Sequence, residues 1–387
     1  MGACYVYVIY RVVINALYVV LRLAPTRNRV ALLSRQSNEP SLDFRLLETA
    51  LRAKLPGWEF VTACYRDSGD TLERITGTYR QLKLVATSKL CIVDGYTPAV
   101  SIPRLDPSTV VVQLWHALGA FKRFGWQAVG TRGGRTLAQA QQLKMHRNYT
   151  LVIAGGEGAR TAFAQAFDCP EDRIVPLGLP RMDYLIDSIL SCERKELAAD
   201  LAGHYPQLVD GRVNVLFAPT FRRKARQINA QNHVRELADA LPAQSNNLIV
   251  AFHPFSTHRA EAIPHSDAIT FIPHTKGIDL LEAADYVVTD YSTIALEAAL
   301  LYKKVLFYVP DIASYRQAPG LNIDPEKEFP GITFKDAASL AAFIAKDISE
   351  NCYAESGFWS YCDAYLTGST VGGTTERLAA QLVRMVA

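Results

Sequence analysis

From residue 3 to residue 24 apolar side chains run almost without a break, and the exceptions Arg11, Asn15, Tyr18 and Arg22 recur at offsets that put all four on one stripe of a helix. A helix with one polar stripe and a wide apolar face lies in a membrane interface. Arg11 at the middle of a crossing helix would cost roughly 2.5–3.5 kcal/mol. Residues 1–25 are therefore expected to form an amphipathic membrane-associating helix, with an amphipathic core helix or an uncleaved signal as alternatives. The following Leu23, Ala24, Pro25 and Thr26 make a poor cleavage site.

Beyond Pro25 the pattern changes to short apolar runs separated by helical or turn-rich sequence. Residues 29–34 read as a strand, 35–40 as a loop and 41–54 as a helix. Further buried-strand patterns cover 58–64, 89–93, 109–114 and 151–154. A second series follows at 213–218, 247–252, 269–272, 286–289 and 305–309. Strands that alternate with helices form parallel sheets. The polar, helix-rich stretch 183–211 between the two series reads as a domain connection. The expected fold is α/β of the GT-B type, two Rossmann-like domains facing a cleft, with ligands at the carboxyl ends of strands in both halves. The expected boundaries are 26–185 for the first domain and 186–387 for the second.

Composition narrows the function. Hydrophobic residues make up 49% and charged residues 20% of 387, enough for two packed cores. The net charge of +3 is too mild for a nucleic-acid binder. Basic residues cluster only at Lys122 and Arg123 and in the run Arg132, Arg135, Lys144, His146, Arg147. Seven scattered cysteines without a CxxC pair argue against a disulfide framework and a zinc site, and fit a reduced cytoplasmic interior. No DxD pair is present, so no metal is expected, and no cofactor.

Polar residues recur at strand ends. The run 286–300 is an apolar strand ending at Asp290, after which Ser292 and Thr293 open a helix whose free N–H groups suit a diphosphate. The plain alternative is that Ser292 or Thr293 is only an N-cap. The strand at 213–218 runs through Pro219 and Thr220 to Arg222, a phosphate grip or a solvated charge. The strand at 247–252 delivers His253. In the first half a strand ends in Trp115 and His116; His116 is placed to take a proton from an acceptor hydroxyl, or is a histidine satisfied by backbone. Lys122 or Arg123 would meet an anionic acceptor.

Together these segments resemble the CDP-glycerol glycerophosphotransferase family of teichoic acid synthesis. The matching pieces are Trp115 and His116 with Lys122 to Gly125; Gly178, Leu179, Pro180, Arg181, Met182 and Asp183; Pro219 to Arg222; His253 and Pro254; Thr289 to Thr293; and Tyr308 to Asp311 with Tyr315 beyond. The resemblance covers about residues 110–335. It implies transfer of glycerol phosphate, or a related polyol phosphate such as ribitol phosphate, from CDP-glycerol or CDP-ribitol to a lipid-linked saccharide acceptor at the cytoplasmic face of the membrane. It makes His116 and Asp290 the catalytic candidates, Arg222, His253, Ser292 and Thr293 the donor site, and Trp115, Lys122 and Arg123 the acceptor site. Family members often carry Gly-Thr after the first histidine, where this chain has Ala117 and Leu118. That departure puts the acceptor geometry and the polyol in question. The compact length resembles the primase-type members. The rival readings are a GT-B glycosyltransferase using a UDP-sugar and a non-catalytic membrane-bound scaffold.

Overall fold

Val, Ile and Leu dominate short runs that are buried on both faces, and such runs pair in parallel under covering helices. The computed structural model of the chain describes residues 2–67, 69–186, 190–220, 224–251, 269–272, 275–367 and 372–387. Its first sheet contains β1 (Arg27–Ser34), β2 (Glu59–Cys64), β3 (Ser88–Val93), β4 (Val110–Gln113), β5 (Leu151–Ile153) and β6 (Ile174–Val175). They lie in the order β2-β1-β3-β4-β5-β6, all parallel. The second sheet contains β7 (Val213–Phe217), β8 (Asn246–Val250), β9 (Ile269–Phe271), β10 (Tyr286–Thr289), β11 (Lys304–Tyr308) and β12 (Thr333–Phe334). Its order is β12-β11-β10-β7-β8-β9, again parallel. These are two Rossmann-like sheets, and the GT-B architecture expected from the sequence is the one observed.

Each sheet order reverses direction once, between β1 and β3 in the first half and between β7 and β10 in the second. At such a switch point the crossover helices leave on opposite faces and open a crevice beyond the strand ends. The loops after β3, β4, β7 and β10 accordingly approach one another across the space between the halves.

Two helices join the halves. The segment after β6 forms α6 (Pro180–Ile186), in which Asp183 accepts from the backbone N–H of Thr374 (3.0 Å) and Thr375 (2.7 Å). This carboxylate satisfies free N–H groups at the start of the last helix, α9 (Thr374–Val386), which packs back on α2 (Leu42–Lys54) of the first half. Ser41 caps α2 by accepting from Phe44 N–H, as its position before an apolar helical pattern predicts.

The first helix, α1 (Gly2–Leu21), rests on α3 (Thr71–Thr87) and on α4 (Leu137–Gln142). Its polar stripe faces the protein. The Tyr18 hydroxyl accepts from Asp106 N–H (3.1 Å), Arg22 pairs with Asp106 and Thr26, and Tyr7 accepts from Gln139 (3.3 Å). Ile14 and Tyr18 are buried, while Val6, Ile9 and Val20 on the opposite face are more than 60% exposed. No described helix is long and apolar enough to cross a membrane.

Candidate active site

The first wall of the inter-domain cleft is built where β4 ends. Gln113 turns its side-chain carbonyl back to accept from Trp115 N–H (2.8 Å), and Trp115 takes a left-handed backbone with φ of 59°. For a bulky side chain that conformation carries strain, and here it is held by packing. The Trp115 ring stacks on Phe124 at 4.7 Å and meets Phe167 edge-on at 5.3 Å. The inverted residue breaks the strand's alternation and turns His116 into the cleft.

His116 Nδ1 lies 2.9 Å from the main-chain oxygen of Asp94, which follows β3. A carbonyl oxygen only accepts, so this contact fixes the proton on Nδ1 and leaves a lone pair on Nε2. One face of the ring is open to water in the cleft, whereas protein crowds it on its other sides. Desolvation by this crowding, reinforced by the positive charges of Arg181 and Lys122, pushes the imidazole pKa down to about 4. The open face limits that depression, so the neutral state near pH 7 is the firm consequence. Behind it, burial raises the Asp94 carboxyl to about 7, with Ser34 and Arg181 opposing and Asp43 adding to the rise.

The facing wall comes from β7 and β10. Asp290, directly after β10, is buried, and its Oδ1 accepts from the N–H groups of Thr220 (2.8 Å) and Tyr291 (2.6 Å). The Thr289 hydroxyl donates to Ala218 O at 2.7 Å. These bonds tie the two strand ends together at the switch point. Tyr291 stacks on Tyr315 at 3.9 Å, fixing the turn from below. Ser292 Oγ accepts from Ile294 N–H at 3.4 Å, while Thr293 makes no side-chain cap bond to α7 (Ile294–Leu300).

Arg181 of α6 spans the two walls from beneath. It donates from Nε to Asp43 (2.9 Å) in α2 and from a terminal nitrogen to Glu297 (2.8 Å) in α7, one carboxylate from each half. Burial raises the Glu297 pKa, and Arg181 opposes that rise.

His116, Trp115, Lys122, Ser292 and Thr293 thus line one cleft of about 320 Å³. Two expected site residues do not. Asp290 lies beneath the wall as a brace, because the two strand-end loops need a buried acceptor for their N–H groups. Arg123 is exposed and packs its side chain toward Gly320, whose oxygen accepts from Arg123 N–H (2.9 Å). Arg222 and His253 lie outside the described residues. Arg181, Lys276, Thr220 and Glu297 line the cleft without having been assigned roles from the sequence. Arg181 stands inside the 178–183 segment that carries part of the family resemblance, whereas Lys276 follows β9 in a run with no marked pattern. Among the described residues no group of three or more His, Cys, Asp or Glu side chains is arranged to hold a metal ion.

The arrangement has relatives. A poly(ribitol-phosphate) polymerase of teichoic acid from Bacillus spizizenii is 29% identical over 345 residues, covering 85% of this chain and 53% of that protein. A teichoic acid ribitol-phosphate primase from the same organism is 28% identical, covering 76% of this chain and 75% of that one. A glycerol-phosphate primase from that organism is 30% identical over 65% of this chain and 64% of its own. The chain thus spans about half to three quarters of the length of these relatives. An Asn-for-His variant of the wall teichoic acid polymerase TagF, soaked with CDPG, superimposes with a TM-score of 0.73 at 15% identity over 100% of this chain and 97% of that one. A UDP-GlcNAc 2-epimerase from Neisseria meningitidis shares the fold with a TM-score of 0.57 at 12% identity, over 92% of this chain and 99% of that one. The family model for CDP-glycerol:poly(glycerophosphate) glycerophosphotransferases matches residues 16–368, and the chain belongs to that family.

Proposed function

We propose that the protein transfers a polyol phosphate, glycerol phosphate or ribitol phosphate, from a CDP-linked donor to a hydroxyl of a lipid-linked saccharide, releasing CMP. The observation that carries this reading is the His116 tautomer: an unprotonated Nε2 in the first-half wall of the cleft whose second-half wall is the Ser292–Thr293 turn. The acceptor oxygen attacks the β-phosphorus of the donor and passes its proton to Nε2. The new O–P bond forms as the bond to CMP breaks, and that electron pair leaves on the CMP phosphate. Such a step gains most from positioning and from neutralising phosphate charge. Lys276 and Lys122 bring positive charge to the cleft, Arg181 adds a guanidinium at its floor, and the sequence pattern adds Arg222 and His253 to the donor side. Residues 26–185 then serve as the acceptor half and 186–387 as the donor half.

Attachment at the membrane's cytoplasmic face fits residues 1–25. With the polar stripe of α1 engaged on the protein, Tyr5, Val6, Ile9, Val12, Val13 and Val20 form an outer apolar face, and Leu72 and Ile75 of α3 are exposed beside the helix. Burying such a face in the headgroup region stabilises peripheral binding.

The test is nucleotide release. With a lipid-linked saccharide present, CMP is expected from CDP-glycerol or CDP-ribitol, and the saccharide gains the mass of one polyol phosphate. UDP release from UDP-sugars with no CMP from either CDP donor would overturn the reading.

A further inference from the structure

A second cavity, about 490 Å³, adjoins the cleft, and Ala120 stands in the wall of both. It opens between α5 (Arg160–Phe167) of the first half and α8 (Phe358–Tyr365) of the second, with Asn322 and Ile323 completing the wall. Its chemistry is unlike that of the cleft. Where the cleft presents His116, Lys122, Arg181, Lys276 and Glu297, this cavity presents amides, a hydroxyl and two phenol rings, and among the described residues no carboxylate, amine, guanidinium or imidazole lines it.

The amides are held in place. Gln127 Nε2 donates to Gln165 Oε1 (3.0 Å) and to Asn322 Oδ1 (2.9 Å), while Asn322 Nδ2 donates back to Gln127 Oε1 (3.1 Å). With its carbonyl occupied in this way, Gln165 keeps its amide N–H groups for another partner. Among the described residues neither these, nor the Thr161 hydroxyl, nor the Tyr361 hydroxyl has a hydrogen-bond partner. The Tyr361 and Tyr365 rings stack at 5.9 Å, and Phe329 supports Tyr361 edge-on at 4.8 Å.

Rigid aromatic surface beside fixed amides and hydroxyls, without charge, suits a neutral polyhydroxylated ligand. The C–H faces of a sugar ring pack on the rings while its hydroxyls pair with the amides. A phosphate would find no cation among the described lining residues, and an acyl chain would leave the amides without partners. We propose that this cavity binds the saccharide portion of the acceptor, beside the cleft where its hydroxyl reacts. The inference rests on the transferase reading for the ligand's role, but not for its chemistry.

The experiment is saturation-transfer NMR on the full-length protein with chitobiose, cellobiose and maltose. Alongside it runs calorimetry of CDP-glycerol and CDP-ribitol, with the melting temperature of each variant as a folding check. The wild type is expected to bind at least one disaccharide. Gln165→Ala should weaken that binding roughly 2- to 10-fold, the range for one neutral hydrogen bond. Thr161→Trp, which fills the cavity from an exposed position, should abolish it. Binding of the CDP donor should be unchanged in both variants. Absence of disaccharide binding to the wild type, or its survival in a folded Thr161→Trp protein, overturns the proposal. Disaccharide binding that Thr161→Trp abolishes, in a protein releasing no CMP from either CDP donor, would sink the transferase reading and leave the saccharide site standing.

Discussion

Replacing His116 with alanine removes the lone pair at Nε2, together with the hydrogen bond to Asp94 O and the ring's contact with Trp115 at 4.1 Å, so the melting temperature is recorded beside the rate. Loss of a general base slows transfer by roughly 10²–10⁴. Donor affinity should persist, since the donor contacts are assigned to the opposite wall. The wild-type pH profile supplies an independent check. A base acts only when unprotonated, so kcat/KM falls as pH drops through the pKa of free His116. An ordinary imidazole, near 6.5, is about 3% neutral at pH 5, and kcat/KM would fall roughly 25-fold between pH 7 and pH 5. A group pushed down to about 4 by desolvation, Arg181 and Lys122 stays roughly 90% neutral at pH 5 and loses about a tenth. The assay is initial-rate CMP release from pH 4.5 to 8, with the melting temperature recorded at each point. A folded His116→Ala variant with near-normal turnover would refute the base. An acid limb centred at 6.5 or above would refute the depressed pKa.

Arg181→Met strands two buried carboxylates, Asp43 and Glu297, and should cost about 3–5 kcal/mol, seen as a large fall in melting temperature; an unchanged value would show that the triad carries no stability. Asp290→Ala leaves the buried N–H groups of Thr220 and Tyr291 unsatisfied at about 1–3 kcal/mol each, whereas Asp290→Asn keeps an acceptor and should retain most of the denaturant midpoint. Equal losses in the two variants would count against the brace. Ile9→Glu with Val20→Glu should release the protein from anionic vesicles in a sedimentation assay without moving its melting temperature, because both side chains face outward. Continued cosedimentation would exclude the α1 face as the membrane contact.

Strand positions were legible because complete burial on both faces imposes apolar runs of four or more residues. The patterns at 89–93, 151–154 and 286–289 fall within a residue of β3, β5 and β10. The edge strands β6 and β12 went unread, since two residues carry no period. For α1 the stripe of Arg11, Asn15, Tyr18 and Arg22 was visible, but not the side on which it would lie. A periodicity reports that two faces differ and is silent on which one meets protein. Here the hydrogen bonds of Tyr18 and Arg22 to Asp106, far along the chain, decide it.

The sequence alone determined the two parallel-sheet halves and the family, along with the polar strand ends that bring His116, Ser292 and Thr293 to the crevice. These follow from local patterns and from motif order, both written along the chain. Only the tertiary structure decided which of those residues face the cleft. Asp290 and Ser292 are two residues apart, yet one is buried under backbone N–H groups and the other lines the wall. It also brought Asp43, Arg181 and Glu297 into one cluster from three distant segments, and it set the His116 tautomer through the oxygen of Asp94. Burial, charge and hydrogen-bond partners depend on which segments meet in space, and no spacing along the chain encodes that.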